Sequence, residues 1–219
     1  MLSLFVASAL GYVLGSIPTA YLLVRWRSSL DIRDVGSGNV GALNSYEVTR
    51  SKLVGVAALA GDLLKGVTAV LLGRALETEG FVTGAVAGTA AVIGHSFPVW
   101  LRFRGGRGLA TAAGAMLVTA PAVVPVWGAL WLAGFGATRS VNPANALACL
   151  LLIVGYLLVP AEILMIFLPA AVPVPGLRVA GVAILVPVLI RLVGPVKEYV
   201  REVLSRAGRG LESGSHHGG

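Results

Sequence analysis

The sequence predicts an all-α, polytopic integral membrane protein of seven transmembrane helices, with the N-terminus outside and the C-terminus in the cytoplasm. Three observations carry that prediction. Of 219 residues, 56% are hydrophobic and 12% charged, with a mean hydropathy of +0.85, which leaves too few polar residues to cover a water-soluble globule. The apolar residues gather in runs, several of which have the length of a bilayer crossing. The basic residues fall in the gaps between those runs, so the net charge of +7 points to a lipid surface and sets nucleic acid aside as a partner.

The first run covers about residues 2 to 24. No small-residue cleavage site with a polar flank follows it, so it is taken as a membrane helix and not as a signal peptide. Further runs lie at about 53 to 73, 81 to 101, 109 to 120, 122 to 137, 145 to 168 and 176 to 193. The fourth and fifth are short and could merge into one helix across Pro121 and Pro125. Charge decides against merging. With seven helices the cytoplasmic side collects Arg25, Arg27, Arg33, Arg50, Lys52, Arg102, Arg104, Arg107, Arg139, Arg191, Lys197, Arg201, Arg206 and Arg209, fourteen of the 17 basic residues. Arg74 and Arg178 then face outward and Lys65 lies within a helix. Merging would send Arg139 and the basic C-terminus outside, against the positive-inside tendency.

Gly11, Gly15, Gly55, Gly66, Gly84 and Gly88 supply the small side chains on which helices pack where lipid gives no hydrophobic push. The single Cys149 sits in an apolar run and is read as a core residue. From Val196 to Arg206 the chain reads as a short amphipathic helix on the membrane surface, with Val196, Tyr199, Val200 and Val203 together on one face. Residues 1–207 form one transmembrane domain, and residues 208–219, with His216 and His217, a disordered tail.

Two polar loops interrupt this pattern. Between the third and fourth runs, Arg102, Arg104 and Arg107 accompany Gly105, Gly106 and Gly108, and a helical run begins at Leu109. Such glycines can turn consecutive amides toward one point, and at a helix N-terminus this is an anion-binding geometry. Phosphate is the first expectation. The loop after the first run, Gly36-Ser37-Gly38-Asn39-Val40-Gly41-Ala42-Leu43-Asn44, formally contains Gly-x-Gly-x-x-Gly. The dinucleotide reading fails, because that fingerprint has meaning only between a strand and a helix of a βαβ unit, and a membrane helix precedes it here. What remains is a glycine loop carrying Ser37, Asn39 and Asn44, all able to hydrogen-bond phosphate or hydroxyls, on the same membrane face as the first. Asp62 and Lys65, three apart within a helix, can pair on one face; an intramembrane pair is costly and marks either a site or a structural ion pair.

Taken in order, Gly15-Ser16-Ile17-Pro18, Gly36 through Asn44, Asp62-Leu63-Leu64-Lys65-Gly66, Gly94-His95-Ser96-Phe97-Pro98, Gly105-Gly106-Arg107-Gly108-Leu109-Ala110-Thr111 and Thr138-Arg139-Ser140-Val141 resemble the PlsY family. These are bacterial membrane glycerol-3-phosphate acyltransferases. The resemblance implies a seven-helix, multi-pass fold in the cell inner membrane with a cytoplasmic active site. It implies acyl transfer from acyl phosphate to the 1-hydroxyl of glycerol 3-phosphate, giving lysophosphatidic acid and phosphate in phospholipid biosynthesis. Coenzyme A, a carrier protein, a metal and any cofactor are not required. It further implies that Ser37 and Asn39 stand at the reacting centre with Gly36, Gly38, Gly41 and Asn44 about them, and that Gly105, Gly106, Arg107, Gly108 and Thr111 hold the glycerol phosphate. Arg139 is a second phosphate clamp or a headgroup anchor. Because an imidazole ordinarily titrates near neutrality, His95 is a candidate acceptor for the hydroxyl proton, though it equally suits a helix cap or a donor to a backbone carbonyl, and the substrate's own phosphate is another acceptable base.

The chain departs from the family pattern at named positions. Leu43 stands in place of Thr, Glu47 in place of Arg, with Arg50 one helical turn on as a substitute, and Arg107 in place of Lys. The family's C-terminal His-Arg-Glu-Asn-Ile-Lys aligns with Leu192-Val193-Gly194-Pro195-Val196-Lys197, so its His, Glu and Asn are missing. That departure keeps a second reading in play, a divergent paralogue that binds a phosphate-bearing lipid or metabolite without turnover, or that acylates another acceptor.

Overall fold

The computed structural model describes residues 1–77, 80–166 and 174–215, and among them every regular element is helical. In chain order these are α1 (Leu2–Gly15), α2 (Thr19–Ser28), α3 (Ala42–Thr49), α4 (Lys52–Arg74), α5 (Phe81–Ser96), a 3-10 turn (Val99–Leu101), α6 (Leu109–Thr119), α7 (Val123–Thr138), α8 (Val141–Leu158), α9 (Ala161–Ile166) and α10 (Val174–Ser215). Among the described residues five segments are long and apolar enough to cross a bilayer: Leu2–Ser28, Lys52–Arg74, Phe81–Leu101, Val141–Leu158 and Val174–Arg206. The helices α6 and α7 are apolar but shorter. The 11 residues of α6 rise only about 17 Å, roughly half the hydrocarbon thickness.

Proline explains most of the departures from the expected runs. The first run is two helices, because Pro18 has no N–H to continue α1 and presets the entry to α2. At the break the Ile17 carbonyl accepts from the Thr19 N–H at 3.0 Å and from Lys65 Nζ at 3.1 Å. The sixth run begins earlier than expected, at Val141, and its helix stops at Leu158, two residues before Pro160. Positions 167 and 168, the end of that run, lie outside the described residues. The expected surface helix at 196–206 is not separate. It continues α10, which passes through Pro187 and Pro195 without ending. The same helix runs on past position 208 to Ser215, and residues 216–219, with His216 and His217, lie outside the described residues.

Glycine lets the helices approach closely. Gly11 and Gly15 of α1 lie on the backbone of Ala87 and Ala91 in α5, while Gly66 of α4 meets Thr111 and Gly114 of α6 meets Leu63. A Cβ at any of the four would overlap main-chain atoms, so both contacts depend on small residues in the way lipid-embedded helices require. One core, with Val70, Val92, Met116, Cys149, Ile184 and Leu192, joins α4, α5, α6, α8 and α10. A second, smaller core joins Val24, Ile32, Val40, Val54, Ala58 and Leu101. It lies beneath the α2–α3 loop, which Ile32 and Val40 anchor by full burial. Phe5, Val13, Leu64, Leu132, Leu158 and Val179 face outward, as a lipid-facing surface allows and water would penalise.

Candidate active site

The α2–α3 loop is shaped by Asn44, whose buried amide stands at the loop's centre. Its Oδ1 accepts from the Ser37 N–H at 3.0 Å, and its Nδ2 donates to the carbonyls of Ile32, Val35 and Asn39 at 3.2, 3.2 and 3.1 Å. Gly36 and Gly38 take left-handed backbone, φ 60° and 66°, and a Cβ at Gly36 would strike Asn44 Oδ1, so the glycine is needed for both reasons. At the loop's start Asp31 accepts from Arg33 Nε at 2.9 Å and Nη2 at 2.5 Å, and Arg33 Nη1 reaches the Leu101 carbonyl at 3.2 Å. The guanidinium's hydrogen bonds hold the Asp31 carboxyl at about 2.

The second loop runs from the C-terminus of α5 to the N-terminus of α6. Helix ends leave carbonyls without partners, and here Gly105 N and Gly106 N donate to those of Ser96 and His95 at 3.2 and 3.1 Å. Their own carbonyls accept from Arg191 of α10, Gly105 O from Nη2 at 2.7 Å and Gly106 O from Nε at 3.1 Å. This corrects the expectation that the two glycine amides form the anion nest: they are buried and spent on closing α5. Arg107, next in the chain, turns outward, and its Nη1 donates to Asn142 Oδ1 at 2.6 Å. Burial and the neighbouring Arg191 charge both lower its pKa, Glu198 and Glu47 partly offsetting them, though a guanidinium stays protonated throughout.

The loops converge on one open cavity of about 320 Å³, lined by Ser37, Gly38 and Asn39, by Phe97 and Arg107, and by Ile190, Arg191, Gly194 and Pro195. Among the described residues no carboxylate is in the lining, and two guanidiniums are, one of them stacked 5.4 Å from the Phe97 ring. Of the residues singled out in the sequence, Ser37, Gly38, Asn39 and Arg107 meet here. Asn44 and Gly36 build the loop behind them, and Gly41 caps α3. Arg50 and Arg139 are exposed at the left-handed ends of α3 and α7, outside the lining. Thr111 is buried with its hydroxyl unpartnered, as is that of Ser96. His95 is buried behind the Gly105–Gly106 turn and is not in the cavity's lining. Sequence reasoning missed Arg191 and Phe97. A lone charge near the end of the apolar run at 176–193 was the available signal for Arg191.

Two glycine loops and two arginines that share one cavity of a helical membrane protein suit a phosphate-bearing ligand, and comparisons with known proteins give the class, integral membrane acyltransferases. Residues 5–193 match the family described as glycerol-3-phosphate acyltransferase. A glycerol-3-phosphate acyltransferase of Desulforudis audaxviator is 40% identical over 147 residues, covering 67% of this chain and 73% of its own. One from Rubrobacter xylanophilus is 53% identical over 124 residues, covering 56% and 60%. The crystal structure of PlsY (YgiH), an integral membrane glycerol 3-phosphate acyltransferase, in its glycerol 3-phosphate form is similar with a TM-score of 0.72 and 27% identity, covering 93% of this chain and 92% of its own. Its lysophosphatidic acid form gives 0.73 and 26%, covering 91% and 93%. The chain belongs to the glycerol-3-phosphate acyltransferase family.

Proposed function

We propose that this protein transfers the acyl group of acyl phosphate to the 1-hydroxyl of glycerol 3-phosphate, releasing lysophosphatidic acid and inorganic phosphate. The observation that carries the reading is the meeting of Ser37, Asn39, Arg107 and Arg191, from three distant parts of the chain, in one cavity free of carboxylates. Two guanidiniums suit two phosphoryl groups. In this reading Arg107 takes the glycerol phosphate and Arg191 the donor phosphate, while the Ser37 hydroxyl and Asn39 amide donate to the oxyanion as it develops. The glycerol oxygen bonds to the acyl carbon, the bond from that carbon to the phosphate oxygen breaks, and the departing phosphate takes up the hydroxyl proton. No imidazole or carboxylate is asked to act as base, in keeping with a lining that holds neither.

The donor's chain has a suitable place. An apolar cavity of about 650 Å³ lies between α1, α5 and α10, lined among others by Tyr12, Phe81, Ala90, Ile93, Val179 and Ala183. Ile93 is one helical turn from Phe97 of the polar cavity, and in this reading the acyl chain lies along the apolar cavity with its carbonyl at the polar one. The reading also sets seven spans in the inner membrane, N-terminus outside and site in the cytoplasm. In support, Arg33, Arg104, Arg107 and Arg191 gather at the cavity end of the bundle. At the opposite end Arg74 and Arg178 are drawn onto the carbonyls of Val118 and of Tyr156, Leu157 and Val159.

Phosphate release from acyl phosphate on addition of glycerol 3-phosphate to the purified protein tests this; release no greater than that of Ser37→Ala would sink it. Binding without turnover is the second reading, favoured by Leu192, which is fully buried in the core where the family carries a polar motif. It predicts glycerol 3-phosphate binding that Arg107→Ala weakens, with no phosphate released.

A further inference from the structure

Beneath the cavity, Asp62, Lys65 and His95 form a buried polar group that the proposed chemistry does not use. Lys65 Nζ stands 2.9 Å from Asp62 Oδ1, and His95 Nδ1 stands 3.5 Å from the same oxygen. Lys65 also donates to the Ile17 carbonyl at the α1–α2 break, 3.1 Å away. All three residues are at most 7% exposed. Burying such charges at membrane depth is unfavourable unless the arrangement serves something.

What the group serves is visible from the other side of the imidazole. His95 Nε2 and the Val40 carbonyl both press on Gly106, so that a Cβ there would overlap each of them. Gly106 is therefore where the α5–α6 loop, the α2–α3 loop and the imidazole meet, one residue before Arg107. Its N–H is fixed on the His95 carbonyl at 3.1 Å, and its carbonyl on Arg191 at 3.1 Å. The space around Asp62, Lys65 and His95 is only about 10 Å³, at the lower limit for one water.

Resting on the acyl-transfer reading, we infer that Asp62 is a positioning residue: held by Lys65, it fixes the His95 ring as a spacer that sets Arg107 at its working distance from Ser37 and Asn39. The ring does its work by shape and by one contact to Asp62, and no proton passes through it. Lys65 ties the same spacer to the Ile17 break, so the packing of α1 on α4 and the height of the phosphate loop are set together.

The test uses the full-length protein in detergent, with steady-state turnover of acyl phosphate and glycerol 3-phosphate and calorimetric binding of glycerol 3-phosphate alone. Asp62→Asn strands the Lys65 charge, so the informative variant is the neutral pair Asp62→Asn with Lys65→Met. Its KM and Kd for glycerol 3-phosphate are expected to rise about 10-fold or more, the size of one lost charged hydrogen bond, while kcat at saturation changes less than about 3-fold. His95→Gln, which fills the space against Gly106 but does not titrate near neutrality, is expected to keep kcat within about 3-fold, and His95→Leu to follow the double variant. A kcat falling about 100-fold or more in His95→Gln with KM unchanged would make the imidazole an acid or base and overturn the inference. Unchanged constants in the double variant with only a lower Tm would also overturn it. If the double variant does not fold, His95→Gln against His95→Leu decides alone. A wild-type protein that binds glycerol 3-phosphate without turnover would end the acyl-transfer reading, and the Kd values would then still test the positioning.

Discussion

The Arg191 guanidinium donates to the Gly105 carbonyl at 2.7 Å across 86 residues of sequence, and to the Gly106 carbonyl at 3.1 Å. The last helix thereby holds the α5–α6 loop, against which His95 Nε2 also packs at Gly106. One face of a planar fork can satisfy two carbonyls and still stand in the cavity wall, which an ammonium on a flexible stem does not reproduce.

Arg191→Ala is accordingly expected to remove a cavity charge and the loop's clamp together. Charge-assisted hydrogen bonds contribute about 1.5–3 kcal/mol each, so kcat/KM should fall by at least about 100-fold. Arg191→Lys should recover the charge but one carbonyl at most, leaving a deficit of about 10-fold. Equal kcat/KM for Lys and Arg at this position would show that the fork is not needed.

Asn44 should behave as a stability residue with no direct role in chemistry. Asn44→Ala leaves a buried N–H and three carbonyls without their partner, an expected loss of about 2–4 kcal/mol, read as a lower Tm in detergent. Asn44→Asp should be worse than Ala, because it turns a carboxylate oxygen onto the carbonyls of Ile32, Val35 and Asn39. A Tm for Asn44→Asp at or above that of Asn44→Ala would contradict the geometry.

Much of this was legible in the sequence, and what was not has a physical cause. The apolar runs located the helices because hydropathy is a local property, and Ser37, Asn39 and Arg107 stood out because glycine-flanked polar residues between apolar runs are rare. The roles within the loops were not local. Gly105 and Gly106 read as an anion nest, yet their amides close α5, because the competing acceptors are the carbonyls of Ser96 and His95. Asn44 read as a ligand, yet a residue that can satisfy four backbone groups at once is drawn inward. Arg191 was counted only as a topological charge, since nothing in a one-dimensional pattern brings α10 against a loop 86 residues earlier.

The apolar cavity gives a prediction on chain length. Ala90 lies on α5 between Phe81 at the far end and Ile93 near the polar cavity, and lines the groove with both. Ala90→Trp should block the distal part, so preference shifts toward shorter acyl phosphates. Each CH₂ kept out of the groove forfeits about 0.8 kcal/mol, roughly 4-fold in kcat/KM per methylene. An unchanged ranking of donors by chain length would place the chain elsewhere.

The Asp31–Arg33 pair makes a prediction in pH. The carboxyl is held at about 2 against an ordinary 3.8, so the folded state binds its proton more weakly than the unfolded chain does. A depressed carboxyl contributes stability that is complete above the unfolded value and is lost as pH falls through the folded one. The wild-type protein should therefore exceed Asp31→Asn in Tm by a constant margin above about pH 5, and the margin should shrink as pH falls from there through about 2. The pair is partly exposed, 19% and 21%, so the margin at neutral pH should be small, about 1–3 °C. Turnover should be more sensitive than Tm, because Arg33 Nη1 on the Leu101 carbonyl at 3.2 Å ties the α2–α3 loop to the turn beside α5. Loosening that tie moves Ser37 relative to Arg107. A margin that grew on acidification, or an Asp31→Asn variant more stable than wild type at pH 7, would show that Arg33 is held by something other than this carboxylate.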